Sequence, residues 1–305
     1  MNINSAFAGT VAYPRFSTLY RNQWPGLDNA FTSYSVGYDQ FFPEKNLGAG
    51  LSIISDDQGN GTLKSTTFKG IISYNVRFGR DWQIKFGLGT AYMRNVLDWD
   101  RLIFFDQLDP LTGAVDASGI PNISMEVPPP SFNNSYLDID VGLLLYNPQY
   151  YLGISLYHVN GPSDGFFREV EGAISDSRPV LLSVHGGYQI SLVSDNKGNP
   201  KTFISPNILY TTQAGFNQVN VGAYVQKDSV FGGLWLRHTL ENIDALIFSM
   251  GVVFNNLKIG YSYDLTTSEL GVNTTRGSHE IGITLGLSHL EKKVSKLNDC
   301  FSLFR

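Results

Sequence analysis

The chain is poor in cysteine, in charge and in long apolar runs, and each shortage removes a class of protein. Cys300 is the one cysteine in 305 residues, so no internal disulfide is available. Nowhere do about 18 apolar residues follow one another, which excludes a transmembrane helix. Acidic residues (27) outnumber Lys and Arg (22), the net charge is −5, and the strand-like region carries no basic cluster, so nucleic acid is not an expected partner. The five histidines, His158, His185, His238, His279 and His289, are scattered with none at metal-ligand spacing, and neither metal nor cofactor is expected. No Gly/Ser/Pro linker divides the chain, and a single domain is expected, since β barrels of this length often form one. No apolar segment with a basic flank opens the sequence; the barrel reading below takes it as a mature chain whose signal peptide has gone.

What is abundant is glycine (31), tyrosine (16) and phenylalanine (20), with charged residues at only 16%, a mixture that suits many strands with aromatic ends. Residues 277–287 alternate strictly, Ile281, Ile283, Leu285 and Leu287 against Glu280, Gly282, Thr284 and Gly286. Successive strand residues point to opposite faces, so such a strand is oily on one side and polar on the other. The same pattern sets Leu137, Ile139, Val141, Leu143 and Leu145 against Asp138, Asp140 and Gly142, and Trp82, Ile84, Phe86 and Leu88 against Gln83, Lys85 and Gly87. Period-2 runs bounded by turn residues predict about fourteen strands, near 14–23, 31–41, 46–55, 65–77, 82–94, 135–146, 149–158, 178–190, 200–211, 216–227, 230–239, 244–254, 257–264 and 277–288. The run at 230–239 is ambiguous, because Gly232-Gly233-Leu234-Trp235-Leu236 alternates poorly.

Most of these runs reach ten residues, enough to cross a bilayer at a tilt, where strands of soluble proteins average about five or six. The connections are sorted as well. Every second one is mostly tight, around 43–45, 79–81, 147–148, 195–199, 227–229 and 255–256, and the long ones, near 95–134, 159–177 and 265–276, all fall between them. An even strand number with short turns at one end and long loops at the other marks an outer-membrane barrel. The expected fold is therefore all-β, a transmembrane antiparallel β-barrel of about 14 strands over 1–288, with short periplasmic turns and long extracellular loops. Residues 289–305 are expected as a periplasmic tail, with Leu290, Val294, Leu297 and Phe301 at helix-compatible spacing.

Lys85, Asp138, Asp140, Lys258, Asp264 and Glu280 are expected inside, as a network of opposite charges bracing the lumen or as the lining of a selective pore. Ser278 and His279 invite a hydrolase reading, but neighbours on a strand face opposite ways, and no catalytic constellation is expected. Residues 56–61, Asp56-Asp57-Gln58-Gly59-Asn60-Gly61, have calcium-loop composition without the closing Glu and read as a turn. The 95–134 loop is acidic and aromatic and longer than a passive connection needs. Trp99, Phe104, Phe105, Asp106 and Asp109 make it a candidate partner-binding surface; the alternative is a plug folded into the lumen.

Several motifs resemble the PorP/SprF family. Asn4-Ser5-Ala6-Phe7-Ala8-Gly9 and Tyr20-Arg21-Asn22-Gln23-Trp24-Pro25 look like its N-terminal hallmark, with Ser5 where a proline is usual. Asp106-Gln107-Leu108-Asp109-Pro110-Leu111-Thr112-Gly113 resembles its mid-chain element, and 260–264 with 277–281 its C-terminal signature. The resemblance implies a structural role for Arg21, Asn22, Gln23, Trp24, Tyr263, Asp264, His279 and Glu280. It also implies an outer-membrane component of the type IX secretion system of gliding and related bacteria, with outer-membrane lipid and periplasmic secretion proteins as partners. Two uses are implied. A SprF-like member binds a secreted surface adhesin through its type B C-terminal domain; a PorP-like member links the outer membrane to the periplasmic ring and peptidoglycan-binding partners. The first is preferred because paralogues of that kind are numerous. A passive porin or solute transporter is the reading of another class, and no enzyme is expected.

Overall fold

The computed structural model describes residues 1–27, 29–79, 81–167, 177–194, 200–240, 242–267 and 271–287. The tail at 289–305, with Cys300, lies outside them.

Alternation becomes wall. β1 (Arg15–Gln23), β2 (Phe31–Phe42), β3 (Leu47–Gln58), β4 (Leu63–Phe78), β5 (Trp82–Leu97), β6 (Asn133–Tyr146) and β7 (Tyr150–Tyr157) pair each with the next. They are followed by β8 (Leu181–Tyr188), β9 (Ile190–Ser194), β10 (Pro200–Gln213), β11 (Phe216–Lys227), β12 (Val230–Thr239), β13 (Asn242–Phe254), β14 (Leu257–Thr266) and β15 (Ser278–Gly286). β8 and β9 both pair with β10, on either side of Gln189, so they form one interrupted stave. β15 closes on β1 from Arg15↔Gly286 to Gln23↔Ser278. Every neighbouring pair is antiparallel, and the result is a closed barrel of fourteen staves. Closure removes the sheet edges, so the wall strands have neighbours on both sides for their backbone groups, except the short β9, which pairs with β10 alone.

β12 runs unbroken from Val230 to Thr239, contrary to its ambiguous sequence. Gly233 lies inside the wall against Tyr224 and Ser249, where a Cβ would clash, and this leaves Leu234 outside on the oily face. The expected parity of the connections holds. One end carries the short links, and three of them turn on Asn46, Asp228 and Asn255 at positive φ (53°, 53° and 51°), a conformation that Asn and Asp tolerate best among non-glycines. The other end carries 98–132 and the connections after β7 and β14.

The outer surface is apolar. Leu51, Ile72, Leu137 and Met250 are among the most exposed wall residues, at 64, 60, 59 and 61%. In water this would be untenable over a whole circumference; against lipid it is what a spanning wall requires. Aromatic residues ring both ends of this band, with Phe78 on Trp82 and Tyr150 on Tyr188 at the short-turn end and Tyr20 on Tyr34 towards the other. Such rings sit well at the headgroup level.

Candidate functional site

The lumen is filled from below by the chain's own first residues. Asn4 through Val11 are buried inside the wall, around a single 3₁₀ turn at Ser5–Phe7 that Asn4 caps by accepting the Ala6 N–H. Asn4 Nδ2 donates to the carbonyls of Leu143 (3.0 Å) and Ile154 (3.2 Å). Ser155 donates to Ile3 O, Tyr157 to Asn2 O and Ser73 to Ala8 O. Lys85 Nζ donates to Ala8 O at 2.5 Å and Gly9 O at 2.6 Å. The wall makes room for this segment with Gly48, Gly87 and Gly142, where a Cβ would strike Ala8, Ala6 and Asn4 respectively. Ala6 and Phe7 then pack with Leu144, Tyr146 and Tyr151 into a small apolar core.

The expected inward charges are inside, with more specific partners than pattern alone could give. Arg15 Nε meets Asp39 at 2.8 Å, and Asp39 also accepts the Gly9 N–H. Lys69 meets Asp140 at 2.8 Å, and Ser5 donates to the same carboxylate. Asp138 pairs with His158 at 3.0 Å. Asp138 and Asp140, two apart on one face, are thus separated by their partners, and Lys85 serves neither. Breaking a buried pair of this kind is costly because it strands the remaining charge, so the network braces plug and wall together.

At the long-loop end the motif residues gather across β1, β15 and β14, which lie side by side in that order. Arg21 reaches Asp264 (2.9 Å) and Glu280 (3.2 Å), and Arg237 adds a second cation to Asp264 (3.1 Å). Asn22 stands opposite His279 and Gln23 opposite Ser278 in the register. Trp24 takes φ 57°, and its N–H donates to Gly277 O at 2.9 Å, tying the turn after β1 to the loop before β15. Ser278 is buried while His279 lies on the other face, where its ring pairs with Tyr261 (2.8 Å) and packs on Tyr263. Ser278 and His279 are therefore on opposite faces, as the strand pleat requires.

The 95–134 loop does not enter the lumen; the N-terminal segment already fills the space that reading assigned to it. Instead the loop folds on itself outside. Gln107 accepts the Phe104 N–H and donates to Asn122 O, and Asn122 donates back to Gln107 O. Asp109 Oδ1 accepts the N–H groups of Leu111 and Thr112, while Asp106 accepts the Met125 N–H and the Ser124 hydroxyl. These bonds, led by Met125 N–H at Asp106 and Leu111 N–H at Asp109, hold both carboxyls below the usual carboxylate range. Trp99 tilts onto Phe104 at 4.8 Å. Of the five candidate binding residues, Phe105, Asp106 and Asp109 are exposed, Phe105 at 92%, while Trp99 and Phe104 are half-buried.

The sequence reading missed the loop's larger apolar face. Ile123, Met125 and Val127 are exposed at 92, 89 and 73%, with Ser124 and Glu126 between them. The signal was present as a short period-2 run between Pro121 and Pro128, but it lay outside any predicted strand.

Comparison with known proteins agrees with this architecture. The family model described as type IX secretion system membrane protein PorP/SprF matches residues 1–285. Among solved structures, the Ralstonia pickettii toluene transporter TbuX is similar at a TM-score of 0.50 with 10% identity, over 93% of this chain and 91% of that one. The CymD monoaromatic hydrocarbon channel is similar at 0.48 with 9% identity (92% and 88% covered). A Pseudomonas aeruginosa FadL homologue follows at 0.45 with 11% (92% and 90%). At such identity the TbuX likeness speaks to fold alone. No curated protein sequence matches the chain.

Proposed function

Because the chain belongs to the PorP/SprF family of type IX secretion system membrane proteins and is an outer-membrane barrel of that system, we propose that it holds a secreted adhesin at the cell surface. In this reading the long outer loops grip the adhesin's C-terminal domain and no reaction is catalysed. One observation carries it: an ordered outer loop presents Ile123, Met125 and Val127, alternate residues of one stretch, to solvent beyond the apolar band. Isolated exposed apolar residues are ordinary, but a contiguous row is a binding surface. Alternating side chains also suit addition of a partner's β-strand, with pockets on the partner reading every second residue. The loop's internal hydrogen bonds preform this row, which lowers the ordering cost of binding.

The test is to replace Ile123 and Met125 together by Asp. Adhesin recovered with the barrel from outer membranes is expected to fall at least tenfold, with barrel level and heat-modifiable gel migration unchanged. Undiminished recovery refutes the loop's role. A PorP-like use of the short-turn end, towards periplasmic ring and peptidoglycan-binding partners, would leave the same variant active in secretion.

A transporter is the second reading, favoured by the TbuX likeness, since that protein is a toluene transporter. The plug at 1–14 weighs against free passage, because Asn4 through Val11 cross the lumen under wall-to-plug hydrogen bonds. Single-channel recording separates the two: a steadily conducting wild-type barrel favours transport.

A further inference from the structure

On the outer face, between the exposed side chains of Leu51, Ile72 and Leu88, the wall carries a groove of about 540 Å³. Its floor is made by two small residues, Ala49 of β3 and Gly70 of β4, which lie diagonally across the register Ala49↔Ile72 and Leu51↔Gly70. A Cβ at Gly70 would meet no atom within 4 Å, so no close packing in the wall calls for glycine there. Glycine weakens a strand interior, and one that its own fold does not require marks a place where something else approaches closely. Towards the short-turn end the groove passes Gln40 and Phe42 of β2. The same two residues line a second hollow of about 150 Å³ at the rim, beside Pro14, Glu44 and Lys45.

Gln40 shares the lipid-facing side of β2 with Tyr38 and Phe42. Its Oε1 accepts the Tyr38 hydroxyl at 2.7 Å, which leaves its amide N–H groups with no acceptor among the described residues. Donors turned towards an apolar medium need a partner. From mid-wall to rim this face therefore offers an apolar trough, then a hydrogen-bond donor, then an exposed cation, Lys45. A phospholipid carries the complementary groups in the same order, acyl chain, ester carbonyl and phosphate, and the bilayer against this wall supplies it. Glu44, also exposed at the rim, suits a headgroup with an ammonium beyond its phosphate. We propose that the groove holds one ethanolamine phospholipid of the leaflet at the short-turn end, with an acyl chain over Ala49 and Gly70, an ester carbonyl on Gln40 and the phosphate at Lys45. The site lies outside the wall, away from the plug and the outer loop, and stands whatever that loop binds.

The full chain in detergent micelles is titrated with dioleoylphosphatidylethanolamine and with its diether analogue, and bound lipids are counted by native mass spectrometry. One lipid is expected to bind saturably, ahead of the graded ladder of weaker ones. Gly70→Ile fills the trough with a side chain that a strand accepts, and should weaken this first binding by roughly tenfold or more. The wild type should prefer ester to ether by about threefold to tenfold, the worth of one neutral hydrogen bond. Gln40→Leu should abolish that preference, and this comparison stands if Gly70→Ile misfolds on heat-modifiable gels. A ladder without a saturable first site, equal affinity for ester and ether, or first binding unchanged in a folded Gly70→Ile barrel overturns the proposal. So does a dimer of the chain that Gly70→Ile dissolves, which would give this face to a second copy.

Discussion

Lys85→Met tests whether the N-terminal segment is held in the lumen as described. Methionine keeps the length of the side chain and its fit in the wall but deletes the ammonium. Two charge-assisted bonds are lost, at 2.5 and 2.6 Å. At roughly 1.5–3 kcal/mol each they amount to about 3–6 kcal/mol gross. Much of this is offset, because the 1% exposed lysine no longer has to be stripped of water when the plug docks. Ala8 O keeps the Ser73 hydroxyl at 2.8 Å, whereas Gly9 O loses Lys85. A net loss of about 2 kcal/mol in docking raises the released fraction roughly 30-fold, at 1.4 kcal/mol per factor of ten. Planar-bilayer recording reads this as more frequent openings of an otherwise closed barrel. The wall, held by strand pairing from β1 round to β15, should keep its heat-modifiable migration. Openings no more frequent than wild type, in a barrel shown to be inserted, would refute the argument that these two bonds hold the plug.

Three further outcomes are expected. Arg21→Met leaves Asp264 with Arg237 alone and Glu280 without its partner; a loss near the low end of the ~3–5 kcal/mol typical of broken buried pairs should appear in denaturant unfolding, and an unchanged midpoint would show the cluster to be dispensable. Leu51→Arg puts a charge on the outer face of β3, opposite Gly70, and should destabilise by about 2–4 kcal/mol in lipid; neutrality would mean that this face does not meet the bilayer. The third concerns pH. Asp106 and Asp109 have carboxyls held below the ordinary value of 3.8 in the folded loop, so their contribution is complete above 3.8 and is lost as pH falls through the lower folded values. Amide protection at Met125, Leu111 and Thr112 should therefore hold throughout the range above 3.8 and weaken only in stronger acid, and modestly, because both groups are screened by solvent. Loss of protection beginning near neutrality would sink that assignment.

The wall was legible because its information is local. In β5 and β6 each residue's face follows from parity, and lipid outside makes parity unambiguous: Phe86 and Leu137 outward, Lys85 and Asp138 inward. Loop parity was legible for the same reason, since turn residues such as Asn46 and Asn255 announce themselves. The plug was not legible. Residues 1–14 have no period, and their bonds reach far along the chain, as from Asn4 to Leu143 and Ile154. Lys85 could not be placed either, because it meets backbone carbonyls rather than a carboxylate. The outer loop was half legible. Its acidic residues Asp106 and Asp109 are exposed while also engaged in the loop's own turns, and the outward surface takes in Phe105 and the unforeseen row of Ile123, Met125 and Val127 as well.

A wall of fourteen staves would enclose open water if nothing crossed it. Here ion pairs and plug contacts brace both adjacent and non-adjacent staves. Arg15–Asp39 links β1 to β2, and Gly9 bonds the same carboxylate. Lys69–Asp140 links β4 to β6 directly, with Ser5 bonded to the same carboxylate, and Lys85 of β5 grips Ala8 and Gly9. The plug is thus a strut from β2 through β4, β5 and β6 to β7, and β5 and β6 are the two staves from which the 98–132 loop springs. The plug grips these two staves at Lys85 and Leu143, towards their short-turn ends and away from the loop's roots at Leu97 and Asn133. The segment that occludes the lumen thus also ties together the short-turn halves of β4, β5, β6 and β7.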